Sequence, residues 1–406
     1  MEKRTLGIMA TATGICVANI YYCQPLLHEM QNSFGGSSII TDAKAGWIPT
    51  LTQIGYALGI LFIVPLGDQK EKRNPTYLFT LASAIVLMGI AAAPTFEILL
   101  ILCLLLGIVT TTPQFLIPFA AALAPKEKQG QVVGIMMSGL LLGILLARTV
   151  SGFVGAAFGW RMMYAGAGAV LFVLSFILRA ILPKSEPTFA GNYRDLLGSL
   201  FALVKSEPVL RETMFLGGAL FAAFSAFWAT LIHLLESDSF HLGARTVGLF
   251  GLLGAAGALA APIAGRFSDR KSARAATGVG LLITAFSFGI YILGAKSLII
   301  LAIGVVVMDV GVQVGHIANQ SRVFGLIAEA RSRTNTAYIF AYFVGGSLGS
   351  GLGSWAWSLA GWNGVCLTSL GFLAFGGLFY FTAPARYRGN GTRKAGSLPL
   401  ESSPNL

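Results

Sequence analysis

Charge is what this chain of 406 residues has least of: Asp, Glu, Lys and Arg make up 11% of it, hydrophobic residues make up 55%, and mean hydropathy is +0.73. So little polar surface cannot clothe a water-soluble domain, and the chain needs lipid as its solvent. Cysteine is scarce as well. Cys16, Cys23, Cys103 and Cys366 all fall inside apolar runs with no ligand-type spacing, which argues against a disulfide framework or a metal site. No nucleotide loop, metal cluster or nucleophile–base arrangement is present, so neither an enzyme nor a cofactor is expected. The apolar runs also lack period-two alternation, which argues against a transmembrane barrel. Lys3 and Arg4 precede the first run as in a signal peptide, but no small-residue cleavage site follows, so it reads as a retained helix.

What the chain has instead is a succession of nearly charge-free runs, each of about 20 residues, the length that crosses a bilayer. The first four are Thr5 to Leu27, Gly46 to Gly67, Thr76 to Phe96 and Ile98 to Pro125. Gly130 to Trp160, interrupted by Arg148, and Met162 to Leu178 complete a first set. A second set comprises Thr213 to Ile232, Thr246 to Gly265, Ala275 to Ala295, and Ser297 to Ser321, the last interrupted by Asp309 and His316. Thr334 to Ala385 is too long for one span, and Gly361-Trp362-Asn363-Gly364 divides it, giving twelve spans. The net charge of +11 could suggest nucleic acid, but the cations lie almost entirely in alternate loops. Only Lys44, Arg161, Arg245 and Lys296 fall on the other side, so the positive-inside rule accounts for the basicity and puts both termini in the cytoplasm.

The two sets repeat one another. Asp68 and Asp269 each open a cationic cluster after an apolar run and lie 201 residues apart. Gly159-Trp160 and Gly361-Trp362, and likewise Gln114 and His316, are related by a shift of 202 residues. The expected fold is therefore an all-α integral membrane protein of twelve transmembrane helices in two pseudo-symmetric six-helix bundles. The bundles occupy residues 1–183 and 211–385, joined by a cytoplasmic linker at 184–210 and followed by a tail at 386–406. In the linker, Leu196, Leu197, Leu200 and Phe201 recur at helical spacing, which fits either an interfacial helix or a solvated connection. Glycines recur every three or four residues in the second, fifth, eighth and eleventh spans, marking them as contacts between halves or as static packing.

The chain resembles the major facilitator superfamily over essentially its whole length, and within it the drug:proton antiporter branch that includes sugar-efflux-type permeases. The resemblance rests on the twelve spans and on the loop motif Gly-x-x-x-Asp-Arg-x-Gly-Arg-Lys after the second and eighth spans. Its second copy keeps Gly265, Asp269, Arg270 and Arg274, whereas the first keeps Asp68, Lys72 and Arg73 with Val64, Gln69 and Glu71 as departures. The resemblance implies that Asp68, Arg73, Asp269, Arg270 and Arg274 gate the cytoplasmic side, a carboxylate meeting a helix N-terminus in the opposite half. Setting topology alone is the alternative for Arg73 and Arg274. Two family features are missing: Cys103 stands where the antiporters commonly have Arg, and Gly139 to Gly143 is not followed by Pro.

Asp309 stands near the middle of its span, where a carboxylate costs about 2.5–3.5 kcal/mol to insert, so it should face a cavity or a partner. Asp309, Gln313, His316 and Gln320 share one helical face, as a coupling or substrate site or as a fixed polar network. Arg148 needs a partner, for which Asp309, Glu29 and Asp42 are candidates; it could instead hold an anionic substrate group or snorkel to the interface. The resemblance implies that the first, fourth, seventh and tenth spans line a cavity, offering Asn19, Tyr22, Gln114, Phe224, Trp228 and Gln313 to substrate. Asp309, His316 and Arg148 are the proton-coupling candidates.

The expected function is secondary active transport of a small solute by alternating access, as proton-coupled efflux from an inner (plasma) membrane. An uptake symporter, an uncoupled facilitator and a transport-inactive receptor or assembly factor are the alternatives. The expected partners are the solute, a proton and the lipid bilayer, with no nucleic acid, and the chain is expected to be a monomer.

Overall fold

The computed structural model describes residues 3–36, 38–66, 71–125, 128–184, 193–254, 272–327 and 330–384, and every regular element in them is helical. In chain order these are α1 Lys3–Ala18, α2 Cys23–Asn32, α3 Asp42–Ala45, α4 Trp47–Phe62 and α5 Arg73–Ala91. There follow α6 Phe96–Val109, α7 Thr112–Ala122, α8 Gln129–Phe158, α9 Trp160–Ile181 and α10 Tyr193–Ser206. The last are α11 Pro208–Glu236, α12 Ala244–Leu253, α13 Ala273–Leu293, α14 Leu298–Phe324 and α15 Arg331–Thr382. Among the described residues, nine helical stretches are long and apolar enough to cross a membrane, counting α1 with α2 and α6 with α7. Their outer faces carry bare hydrocarbon, such as Leu293, Ile299 and Phe381, as lipid-facing helices require.

Two spans that the sequence reads as continuous are broken. The first is interrupted between Ala18 and Cys23, and the fourth between Val109 and Thr112. Both interruptions precede a proline in the first turn of the following helix, Pro25 and Pro113, where the missing N–H costs nothing. The last helical stretch is also divided, with non-helical dihedrals at Ala360 and Gly361, as the Gly-Trp-Asn-Gly cluster predicts.

Local structure repeats at the spacing seen in sequence. Gly159 and Gly361, 202 residues apart, both adopt positive φ (82° and 58°) immediately before a tryptophan. Thr95 and Ser297, also 202 apart, each accept a hydrogen bond from the backbone N–H three residues on, capping α6 and α14. Arg73 donates to the carbonyl of Arg179, and 201 residues later Arg274 donates to the carbonyl of Tyr380. A helix-terminal carbonyl is thus closed by an arginine in both places.

Helix α11 is buried almost throughout, because α15 packs along it through small residues. A Cβ placed on Gly345, Gly349 or Gly353 would meet Gly218, Ala222 or Ala226 at under 3.0 Å, so the two backbones touch. Helix α8 meets α12 in the same manner: a Cβ on Gly152 would lie 2.5 Å from the Ala244 carbonyl, and Thr149 donates to the Gly248 carbonyl at 2.9 Å. Helix α4 joins α15 through Gln53, which donates to Ser350 at 3.0 Å. The second span thus touches the eleventh, and the fifth touches the eighth. For several of the glycines the static-packing alternative holds. Gly55 and Gly59 pack against Leu104 and Ile108 of α6, and Gly139 and Gly143 against Ala10 and Gly14 of α1. Each of these contacts lies within residues 1–183, because close backbone packing is needed there as much as between distant helices.

The linker contains a helix, α10, whose Leu196 and Leu200 are buried. They line a cleft with Val64 and Pro65 beyond α4 and with Ser332 and Arg333 of α15. Tyr193 adds a hydrogen bond of 2.6 Å to the Phe62 carbonyl. The following span begins earlier than the expected boundary at 211, since Pro208 starts α11.

Candidate functional site

The face of α14 opposite its packing surface carries the polar residues. Gly311 and Gly315 let α13 approach closely, with a Cβ on Gly280 falling 2.6 Å from the Gly315 nitrogen. That contact turns Asp309, Gln313, His316 and Gln320 away from α13, and all four are half-buried. His316 Nδ1 lies 3.0 Å from the Tyr338 hydroxyl, and its ring lies 4.7 Å from that of Tyr342. Gln320 donates to Asn335 at 3.5 Å. Asp309 Oδ2 is buried without a hydrogen-bond partner.

Arg148 is buried, so its long side chain does not snorkel. None of the three carboxylates proposed from sequence bonds to it. Its Nε donates instead to Gln24 Oε1 at 2.6 Å, and the guanidinium stands 4.1 Å from the Trp228 ring, 4.9 Å from Tyr21 and 5.4 Å from Phe224. An amide and three aromatic faces thus do the work expected of a carboxylate. Nη2 has no partner. Asp309 is near enough for the two charges to interact, yet no nitrogen–oxygen contact within 4.0 Å joins them. Gly251 and Gly254 occupy the neighbouring stretch of chain, with Cβ positions 2.9 Å from Arg148 Cβ and 3.5 Å from Asp309 Oδ2.

A run of aromatic contacts connects these groups. Gln114 donates to the Tyr56 hydroxyl at 3.1 Å, and Tyr56 packs on Phe343 at 4.5 Å. Phe343 meets Phe221 at 5.1 Å, Phe221 stacks on Tyr342 at 4.0 Å, and Tyr342 meets His316. A branch leads from Phe221 through Phe224 to Trp228 and Arg148. The structure therefore brings together Gln114, Phe224, Trp228, Arg148 and His316, with Asp309 in the field of Arg148. Tyr22 does not join them, because its ring packs on Tyr164 of α9. Asn19 sits in the break between α1 and α2 with both amide atoms buried and unpartnered. Gln313 takes its place on the polar face of α14.

Two further clusters escape the sequence reading. At one end of the helices, Asp42 accepts from Trp357 Nε1 at 3.0 Å and from Gln31 at 2.8 Å, and lies 3.9 Å from His233. His28 and Glu236 pair beside them at 3.0 Å. These contacts tie α2 and α3 to α11 and α15. At the opposite end, Glu212 is fully buried and holds both Arg274, at 2.9 Å, and Arg322. Arg274 also lies 4.0 Å over the Tyr380 ring. Arg73 and Arg274, read as gating residues, are thus found holding helix ends. Asp68, Asp269 and Arg270 lie outside the described residues.

A bundle of apolar helices enclosing a polar, aromatic-lined site is the architecture of a multi-pass inner-membrane transporter. The family model described as Major Facilitator Superfamily matches residues 9–321 and, in a second match, 213–403, so the chain belongs to that superfamily. It is 40% identical over 367 residues to the "Uncharacterized transporter YgaY" of Escherichia coli O157:H7, spanning 90% of this chain and 92% of that one. Among solved structures, a bacterial homolog of the human lysosomal transporter Spinster in an inward-facing, occupied conformation superimposes with a TM-score of 0.74. That match covers 93% of this chain and 95% of the other at 13% identity. The nucleoside transporter NupG gives a TM-score of 0.70 at 16% identity over 93% and 100% of the two chains. The protein is a membrane transporter of this fold, working by alternating access, and not an enzyme.

Proposed function

We propose that the protein is a proton-coupled exporter of small solutes, of the drug:proton antiporter and sugar-efflux-type branch, acting as a monomer with both termini in the cytoplasm. Counting α4 and α12 as spans and dividing α15 at Gly361 raises the nine long stretches to twelve. The recurrence of the Gly159, Thr95 and Arg73 contacts about 200 residues later supports two six-span halves, 1–183 and 211–385. The distribution of cations then makes the Asp42 end the outer one and the Glu212 end the cytoplasmic one.

The observation that carries this reading is the carboxylate of Asp309, half-buried on a polar helix face with one oxygen unpartnered and a buried arginine beside it. Such a group holds a proton or a solute contact and exchanges one for the other. His316, bonded to Tyr338 on the same face, is the second proton-carrying candidate. Asn19, Tyr22, Gln114, Phe224, Trp228 and Gln313 remain the proposed solute contacts, of which Gln114, Phe224 and Trp228 adjoin the aromatic run. The Asp42 contacts close the outer end, which supports a state in which the site is shut off from outside. Asp68, Asp269 and Arg270, with Arg73 and Arg274, are proposed to latch the cytoplasmic end in the alternate state. Proteoliposomes should show solute-dependent proton flux that Asp309→Asn abolishes; unchanged flux in Asp309→Asn would refute the role.

A further inference from the structure

The Arg148 and Asp309 pair is not a completed salt bridge. One guanidinium nitrogen and one carboxylate oxygen are both buried and unpartnered, and the two groups stand more than 4.0 Å apart although their charges interact. Arg148 is held from other sides: its Nε donates to Gln24, and Tyr21, Phe224 and Trp228 pack on its guanidinium. Among the described residues, the groups facing each member are few. Asp309 is within the electrostatic reach of Arg148 on α8 and of the phenols of Tyr291 on α13 and Tyr342 on α15. Arg148 feels Tyr21, the Cys23 thiol and Asp309. No second carboxylate or cation among these groups neutralises either charge.

An anion placed between them would satisfy Arg148 and be repelled by Asp309, whereas a cation would satisfy Asp309 and be repelled by Arg148. A molecule carrying both charges completes both open positions and leaves the site neutral. Building on the transport reading of this face, we infer that the solute is a small zwitterion of the amino-acid kind, its carboxylate bound by Arg148 and its ammonium group by Asp309. The planar fork of an arginine suits a carboxylate. Phe221, Phe224 and Trp228 form an aromatic wall leading to Arg148, which favours an apolar or aromatic side chain on the solute. A proton on Asp309 removes the ammonium anchor, so proton and zwitterion exclude one another at that carboxylate.

The test uses the full-length protein in nanodiscs and three probes: phenylalanine, phenylalaninamide, which lacks the carboxylate, and N-acetylphenylalanine, which lacks the ammonium group. Calorimetry at neutral pH should show phenylalanine binding, with loss of either charge weakening it about tenfold or more. In Asp309→Asn, phenylalanine should weaken by a similar factor while N-acetylphenylalanine binds as well as, or better than, it does to the unaltered protein. Equal binding of all three probes, binding of none, or the same probe order in Asp309→Asn would overturn the inference. Solute-dependent proton flux in proteoliposomes would then decide the transport reading separately, since a proton-coupled carrier of another solute class would still show it.

Discussion

Replacing Glu212 by Gln tests the buried cluster at the end of the helices proposed to be cytoplasmic. Glu212 is fully buried, accepts from Arg274 Nε at 2.9 Å and bonds Arg322 through its other oxygen. Glutamine keeps the volume and removes the charge, which leaves two guanidinium groups facing each other out of water. Breaking a buried ion pair costs about 3–5 kcal/mol, which for a chain of 406 residues corresponds to a fall in the unfolding midpoint of about 4–6 °C. The single variants should be unequal. Arg322→Gln leaves Glu212 paired with Arg274, and Arg274→Gln leaves it paired with Arg322, so both should lose less than Glu212→Gln. The double variant Glu212→Gln/Arg322→Gln should recover part of the loss, because Arg274 retains the Tyr380 carbonyl and ring. Tryptophan fluorescence during heating in detergent provides the midpoints. A midpoint for Glu212→Gln within about 1 °C of the unaltered protein, or a double variant worse than the two single losses combined, would refute the reasoning.

Gly349→Val should abolish recovery of folded protein in size-exclusion chromatography, because a Cβ there would stand 1.9 Å from the Ala222 carbonyl, while Gly371→Ala, with nothing within 4 Å, should be neutral or stabilising. Asp42→Ala removes the acceptor for Trp357 and Gln31 and should open the proposed outer end about tenfold more often. Faster labelling of a cysteine introduced at Phe224, by a maleimide added outside to a chain cleared of its native cysteines, would register that change. Leu196→Glu should free the linker helix from its cleft and speed proteolysis between Lys184 and Tyr193, with little effect on solute binding.

Long charge-free runs and the 201- and 202-residue spacing made the spans legible, since lipid demands the first and duplication leaves the second. Gly361 also marked its own break, and the i, i+4, i+7, i+11 spacing placed Asp309 to Gln320 on one face. The breaks before Pro25 and Pro113 were signalled by those prolines but lay inside runs of unbroken hydropathy, which a count of apolar residues passes over. The partner of Arg148 was not legible. Gln24 is 124 residues away, and an amide with three rings is no more marked in sequence than any other polar and aromatic residues. Glu212 and Arg322 stand at the ends of apolar runs, where loop charges are usual, and only the tertiary packing buries them against each other. The glycine spacings identified helices that touch closely, but the partner helix is fixed by topology, as Gly55 against α6 illustrates.

The account rests on Asp309 exchanging a proton for solute as the proposed outer end opens and closes. Spin labels at Asn32 and Asp238, both exposed at that end, allow the distance between α2 and the residues following α11 to be measured in nanodiscs as pH is varied. The account predicts a short and a long distance whose proportions shift with pH in the unaltered protein and become fixed in Asp309→Asn. A single distance at every pH, or the same pH-dependent shift in Asp309→Asn, would contradict it.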